Sequence, residues 1–390
     1  MLAWGVSTNG AAPSVLSTVA FLQTDARRTP MSLSPSSFAI LGAGLMGRLL
    51  AVELARQGHR VEIYDAGSPQ AEQSAATVAA AMLAPLAESA ITEPGVVRMG
   101  HYALQRWPAL LAELPTPVFF QQAGTLVLWH RQDAAEAVRF TRVLRGTRQA
   151  VPELPAMQTL DGAGVAALEP LLASRFAQGL YLPNEGQLDN RALLAALLEA
   201  LQTQPGVQLH WNDPRAPGDF NPASDERVID CRGLGARAQW PALRGVRGEV
   251  IRVHAPDVSL QRPTRLVHPR YPLYIAPKPG NVFVIGATEI ESDDMSPASV
   301  RSTLELLSAA YAVHPGFAEA RILEIATQCR PTLPDNRPAL RQLAPRVLQI
   351  NGLYRHGFMI APAMLDAALQ WLATGGSALA QRFEMEPLIP

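Results

Sequence analysis

The 390-residue sequence predicts an α/β protein in which a parallel, doubly wound part is interrupted by a more antiparallel part. Three observations predict it. An apolar run at 37–41, a segment of helical periodicity at 45–57 and a second strand at 60–64 form a complete βαβ unit. The run 227–231 reads as another buried parallel strand, closed by Gly233 and Gly235. Around 247–285 the pattern turns to strand alternation, with Pro279, Gly280 and Asn281 in a hairpin turn.

The elements follow in order. Strand 37–41 is a continuous apolar run ending at Gly42, as a strand covered on both faces should be. Helix 45–57 stops at Gly58, a residue suited to a helix C-terminus, and strand 60–64 closes the unit. Residues 94–114 read as a helix, 125–129 as a strand and 134–145 as an amphipathic helix. A long helix at 188–202 leads through a Pro-Gly turn to strand 207–211. Strands 227–231, 247–254 and 271–276 are followed by a helix at 297–311, strands at 322–327 and 347–350, and a last helix at 362–373. No internal repeat is visible.

The composition is globular, with 48% hydrophobic and 17% charged residues. A formal net charge of −1 exerts no long-range pull on nucleic acid or an anionic membrane, and neither is expected as a partner. No apolar run reaches the length of an integral membrane segment. Two cysteines, Cys231 and Cys329, are too few for a disulfide framework or a zinc site, and no metal is expected. A reducing, cytoplasmic setting fits. The first residues lack a positive n-region and are broken by Asn9, Gly10 and Pro13. They read as a disordered extension over 1–35 rather than a signal peptide, with Met31 as a second candidate start.

The strongest motif is Gly42-Ala43-Gly44-Leu45-Met46-Gly47, between a strand and a helix. Gly42 permits the tight turn. Gly44 leaves room for a pyrophosphate. Gly47 lets helix and strand pack closely. The helix N-terminus then faces the phosphates, and Asp65, at the end of the next strand, can accept from ribose hydroxyls. This Rossmann-type fingerprint does not choose between NAD and FAD, so an NAD(P)-dependent dehydrogenase remains open on these residues alone.

Four further segments, in order, resemble the D-amino acid oxidase family of flavoproteins, and within it most the glycine oxidases of the thiamine-synthesis type. They are Ala79-Ala80-Ala81-Met82-Leu83-Ala84-Pro85; Asp230-Cys231-Arg232-Gly233-Leu234-Gly235; Tyr274-Ile275-Ala276-Pro277 with Ile285-Gly286-Ala287-Thr288; and Cys329-Arg330-Pro331 paired with Tyr354-Arg355-His356-Gly357-Phe358-Met359-Ile360-Ala361-Pro362. Two departures are visible: Asp65 where the family more often has Glu, and Ala81 where glycine oxidases usually have Gly. The resemblance implies a Rossmann-type FAD-binding domain with an inserted α+β substrate domain built on an antiparallel sheet. Residues 36–97, 155–240 and 326–380 would form the first domain, and 98–154 and 241–325 the second. It implies FAD as cofactor, held by Gly42, Gly44, Leu45, Met46, Gly47, Asp65, Ala66, Ala80, Ala81, Met82, Gly233, Arg355, His356, Gly357, Phe358 and Met359.

The implied chemistry is oxidation of the amine of glycine or a small D-amino acid to the imine, with hydride passing to flavin N5 and onward to oxygen or another electron acceptor. A D-amino acid dehydrogenase or an N-methyl amino acid (sarcosine-type) oxidase is the neighbouring alternative. The protein must hold Cα near N5 and fix the carboxylate. A planar guanidinium suits a carboxylate, and the resemblance gives that role to Arg330, with Tyr274 donating a second bond and Arg355 nearby. A helix starting near Pro362 would offer N–H groups to the flavin O2. Hydride transfer needs no base, so His356, His268 and His101 are read as structural. Cys329 is read as a buried thiol; in the related monomeric sarcosine oxidases a cysteine at a comparable place bonds to the flavin. The composition leaves a homo-oligomer open.

Overall fold

The computed structural model describes residues 36–385 apart from 173, 222–223 and 269–272. The expected extension at 1–35 and the first two residues of the expected strand 271–276 lie outside the described residues. The βαβ unit is Ser37–Leu41, Leu45–Arg56 and Arg60–Asp65. It sits in a six-stranded sheet ordered Ala339–Ala344, Val347–Asn351, Arg227–Asp230, Ser37–Leu41, Arg60–Asp65, Val207–Trp211. All neighbours are parallel except the edge pair Ala339–Ala344 with Val347–Asn351. Phe38, Ile40, Leu50, Leu54, Leu197 and Met364 belong to one apolar core between this sheet and its helices. The strands Ser37–Leu41, Arg227–Asp230 and Val347–Asn351 are parallel neighbours, so their carboxyl ends open on one side, where open α/β sheets take ligands.

The second sheet has eight strands: Arg321–Thr332, Arg244–His254, Val282–Gly286, Leu273–Lys278, Thr264–Leu266, Thr125–Leu128, Gln178–Leu182 and Gln158–Asp161. Only the pair Thr264–Leu266 with Thr125–Leu128 is parallel. Strand side chains alternate between faces. Ile251, Ile275 and Ile285 therefore share a core with Leu306 of the helix Val300–Val313, while Val250, Ala276 and Val284 face the other way, against Ala80.

Several expected boundaries move. The helix expected at 188–202 is preceded by a strand, Gly186–Leu188, and begins at Asn190, because Asp189 Oδ1 accepts from the N–H groups of Arg191 and Ala192, both at 2.9 Å. The strand expected at 322–327 runs on to Thr332, which carries Cys329 and Arg330 into the sheet. The last helix does not start near Pro362. It spans Gly357–Thr374 with Pro362 inside it. A proline there removes the N–H that would bond the carbonyl four residues back, which is Phe358 O. That carbonyl instead accepts from Trp107 Nε1 at 3.0 Å.

The strands also divide differently from the expected segments. Within 155–240, Gln158–Asp161 and Gln178–Leu182 belong to the eight-stranded sheet and Val207–Trp211 and Arg227–Asp230 to the six-stranded one. The helix Pro94–Ala112, expected mostly in the second part, places Val96, Met99, Ala103 and Trp107 in the core of the first. Among the described residues no helix is long and apolar enough to cross a membrane.

Candidate active site

One cavity of about 490 Å³ runs from the carboxyl ends of the parallel strands to the eight-stranded sheet. Every candidate site residue read from the sequence lines it except Gly47. The role of Gly47 is the packing one: a Cβ there would sit 1.9 Å from Gly42 O.

At the nucleotide end Gly42 has φ +92° and a Cβ would lie 2.8 Å from Cys231 O, so only glycine serves. Gly44 is the N-cap of the helix Leu45–Arg56, and no side chain caps it. The first-turn N–H groups of this helix therefore have no side-chain acceptor and face the cavity, which suits a diphosphate. Asp65 accepts from Ala43 N–H at 2.5 Å and from Gly67 N–H at 2.7 Å, one bond to each oxygen. Each oxygen keeps a further lone pair for a ribose hydroxyl. Arg48, which sequence reasoning missed, is 1% exposed and donates to the carbonyls of Ala43, Leu194 and Pro69. It lashes the fingerprint loop to two distant segments. Gly233 lines the cavity where Arg232 pairs with the buried Asp230 at 2.8 Å.

The middle of the cavity is walled by Ala80, Ala81 and Met82. Ala81 has φ +52°, a left-handed conformation that favours glycine. A glycine, which the family resemblance leads one to expect at this position, would hold that conformation without strain. Opposite the fingerprint, the helix Gly357–Thr374 starts at the cavity with no side-chain cap, and Gly357, Phe358 and Met359 line it. Two uncapped helix N-termini thus face one cavity, and both favour negative charge there. His356 is buried, with Nε2 2.6 Å from Thr92 Oγ1, and burial pushes its imidazole down to about 4, so it is neutral. Cys329 Sγ lies 3.5 Å from Ser292 O and 3.7 Å from Asp294 O.

The far end holds Tyr274, Arg330 and Arg355. Arg330 crosses the backbone of a neighbouring strand, donating to Thr288 O at 3.1 Å and Arg247 O at 3.3 Å. Among the described residues no carboxylate pairs with it. Burial first, then the nearby Arg355 cation, push its guanidinium below its ordinary value. Such a cation is costly unless an anion joins it. Burial raises the Tyr274 phenol, which remains a donor. Both groups depend on glycines that the sequence reading passed over. A Cβ on Gly248 would lie 2.4 Å from Arg330 Nη2, and one on Gly286 2.8 Å from Tyr274 Oη. A glycine inside a strand pattern signals close approach, and that signal was available.

Arg355 is differently placed. Its Nε lies 2.8 Å from Glu88 Oε2 and its Nη1 2.6 Å from Glu289 Oε2. Burial opposes its charge, but Glu88 and then Glu289 outweigh burial and raise it. Glu88 also pairs with Arg265 at 3.0 Å, and Tyr354 Oη donates to Glu289 at 2.5 Å. Burial works against the Glu88 carboxylate, yet Arg355 and Arg265 hold it down to about 2. Nothing in the local pattern around Glu88, Arg265 or Glu289 marks them as site residues. With two carboxylates on its guanidinium, Arg355 shapes the cavity wall, and Arg330 is the cation left open.

The comparisons agree with this geometry. The DAO family model, described as FAD dependent oxidoreductase, matches residues 37–368. Over 334 residues the chain is 42% identical to a protein of Rhizobium etli named as a thiamine biosynthesis oxidoreductase (ThiO), covering 85% of this chain and 95% of that one. It is 27% identical over 351 residues to the glycine oxidase of Geobacillus kaustophilus, covering 83% of this chain and 89% of that one. A crystal structure of glycine oxidase from Geobacillus kaustophilus superposes with a TM-score of 0.73 at 26% identity, covering 89% of this chain and 96% of that one. Iminodiacetate oxidase from Chelativorans sp. BNC1 shares the fold, with a TM-score of 0.75 at 23% identity over 90% of this chain and 99% of that one. A fingerprint cradle without side chains, an acidic residue at the second strand end and two uncapped helices fit FAD, and the chain belongs to the DAO family of FAD-dependent oxidoreductases.

Proposed function

We propose that this enzyme oxidises the amine of glycine or a small D-amino acid to the imine. The observation that carries the reading is Arg330, a buried guanidinium without a carboxylate partner among the described residues, beside the Tyr274 phenol on the cavity wall. Arg330 pairs with the substrate carboxylate and Tyr274 donates a second bond to it, which orients Cα. FAD, when bound, supplies the acceptor of the hydride at N5. A substrate bound with its amine neutral would lose hydride from Cα to that acceptor as the nitrogen lone pair closes the C=N bond, and one N–H proton would pass to water, leaving the imine. Ala80 and Ala81 let backbone approach the flat ring. The N-terminus of Gly357–Thr374 would favour negative charge on the bound group. Glu88 and Glu289 keep Arg355 as a fixed wall cation. The neutral His356 does not compete for the carboxylate.

Oxygen is the proposed final acceptor, and supply of an imine for thiamine synthesis the proposed role, in line with the name of the Rhizobium etli relative. We place the enzyme in the cytoplasm; its described cysteines are free, which fits. The proposed division gives the six-stranded sheet with the helices of its core to FAD, and the eight-stranded sheet to the substrate. A substrate panel read by bleaching of the bound flavin under anaerobic conditions tests the reading without assuming an acceptor. Fast bleaching by glycine or a small D-amino acid supports it. Bleaching only by amines that lack a carboxylate contradicts it.

A further inference from the structure

Lys278 ends the strand Leu273–Lys278 and is buried, yet among the described residues no carboxylate pairs with it. Its Nζ donates to Ala80 O at 2.8 Å, Leu188 O at 2.7 Å and Gln187 Oε1 at 3.2 Å. An ammonium has three N–H donors, and here three acceptors from two segments converge on them. One acceptor, the Ala80 carbonyl, belongs to the cavity wall. The wall needs ties, because the next residue, Ala81, is held at φ +52°. Other ties come from the same side. Asn190 Nδ2 donates to Ala76 O at 2.7 Å and Thr77 O at 2.9 Å, and Leu188 N–H donates to Ala81 O at 3.2 Å. Lys278 supplies the charge in this set. An apolar side chain of the same length would fill the space and leave three buried acceptors unpaired.

We infer that Lys278 is a positioning residue for the flavin: its ammonium fixes the backbone of residues 79–81 at the height where the ring rests on it. This rests on the reading that residues 79–81 face the flavin. The contact is indirect, since Lys278 itself does not line the cavity. Loss of the proton leaves two donors for three acceptors and slackens the wall. Burial lowers the ammonium to about 7; Asp189, at the helix start, favours its charge, and Arg252, on the strand Arg244–His254, opposes it. FAD affinity therefore falls as pH rises through neutrality.

The test compares wild type, Lys278→Met and Lys278→Arg as holoenzymes, measuring FAD release on dilution and the visible flavin spectrum. Lys278→Met is expected to raise the FAD dissociation constant about tenfold or more and to shift the visible band. Lys278→Arg, which keeps a charged multiple donor, should restore most of both. The wild-type dissociation constant should rise between about pH 6 and about pH 9, while the arginine variant stays flat because a guanidinium does not titrate there. A methionine variant with wild-type retention and spectrum overturns the inference. If that variant is not recovered folded, a wild-type constant that does not change with pH overturns it equally. A wild-type protein that carries no flavin would instead sink the underlying reading, so the two failures are distinct.

Discussion

Gly248 and Arg330 stand on paired strands so close together that a Cβ at position 248 would meet Arg330 Nη2 at 2.4 Å. The absent side chain is what lets the guanidinium lie flat toward the cavity. Gly248→Ala should displace Arg330 without touching the nucleotide end. The expected outcome is normal flavin content with flavin reduction by amino acids slowed about ten- to a hundred-fold, since misplacement of about 1 Å has that scale of effect. Stopped-flow reduction checks it. Unchanged reduction would show that the side chain of Arg330 is not used where it lies.

Glu88 is held charged by Arg355 and Arg265. Removing its charge strands the buried Arg265 and leaves Arg355 with Glu289 alone, and Glu88→Gln should cost about 3–5 kcal/mol of stability. The carboxyl falls from 4.5 to about 2 on folding. A depressed carboxyl contributes stability above its unfolded value and loses it as pH falls toward the folded value. The gap in Tm between wild type and variant should therefore be full above pH 4.5 and narrow as pH drops toward 2. A gap that does not narrow would mean that charge is not what Glu88 contributes.

Trp107→Phe removes the donor that completes the helix at Pro362 and leaves Phe358 O buried without a partner. The expected cost is about 1–3 kcal/mol in denaturant unfolding. Pairing the change with Pro362→Ala, which restores the backbone N–H, should recover part of it. No recovery in the double variant would place the loss in packing.

Asp65→Ala removes the acceptor of two backbone N–H groups and, on the proposed reading, of a ribose hydroxyl. FAD affinity should fall by about 1.5–3 kcal/mol, read from flavin released on dilution. The flavin of the wild type should leave the denatured chain, because Cys329 Sγ is engaged by the carbonyls of Ser292 and Asp294. Colour that stays with denatured polypeptide would point to a bond from Cys329.

The fold was legible where local pattern and fold agree. Gly42, Gly44 and Gly47 follow a strand and open a helix; the chain turns at Gly42 with a positive φ, and Gly47 packs against Gly42 O. The start of the last helix was not legible, because the carbonyl that Pro362 leaves without its helical partner is taken up by Trp107, far away in the chain. The division of 155–240 between two sheets was hidden for the same reason: pairing partners are set by tertiary contacts, not by the strand's own composition. At the site, Arg330 and Tyr274 could be named from the order of motifs, but Glu88, Glu289 and Lys278 could not. They are single charged residues in unremarkable stretches, and only their partners in space give them a role.

The central claim is that Arg330 anchors the substrate carboxylate. The measurement is anaerobic flavin reduction by amino acids in Arg330→Met, beside wild type and Arg330→Lys. Truncating one partner of a buried charge pair costs on the order of 2–5 kcal/mol, so the specificity of reduction should drop roughly thirty-fold to several thousand-fold. Lysine should rescue part of it, for want of the planar fork. Flavin content should stay normal, and amines without a carboxylate should lose less. Wild-type reduction kinetics with amino acids in the methionine variant would contradict the account and move the anchor elsewhere in the cavity.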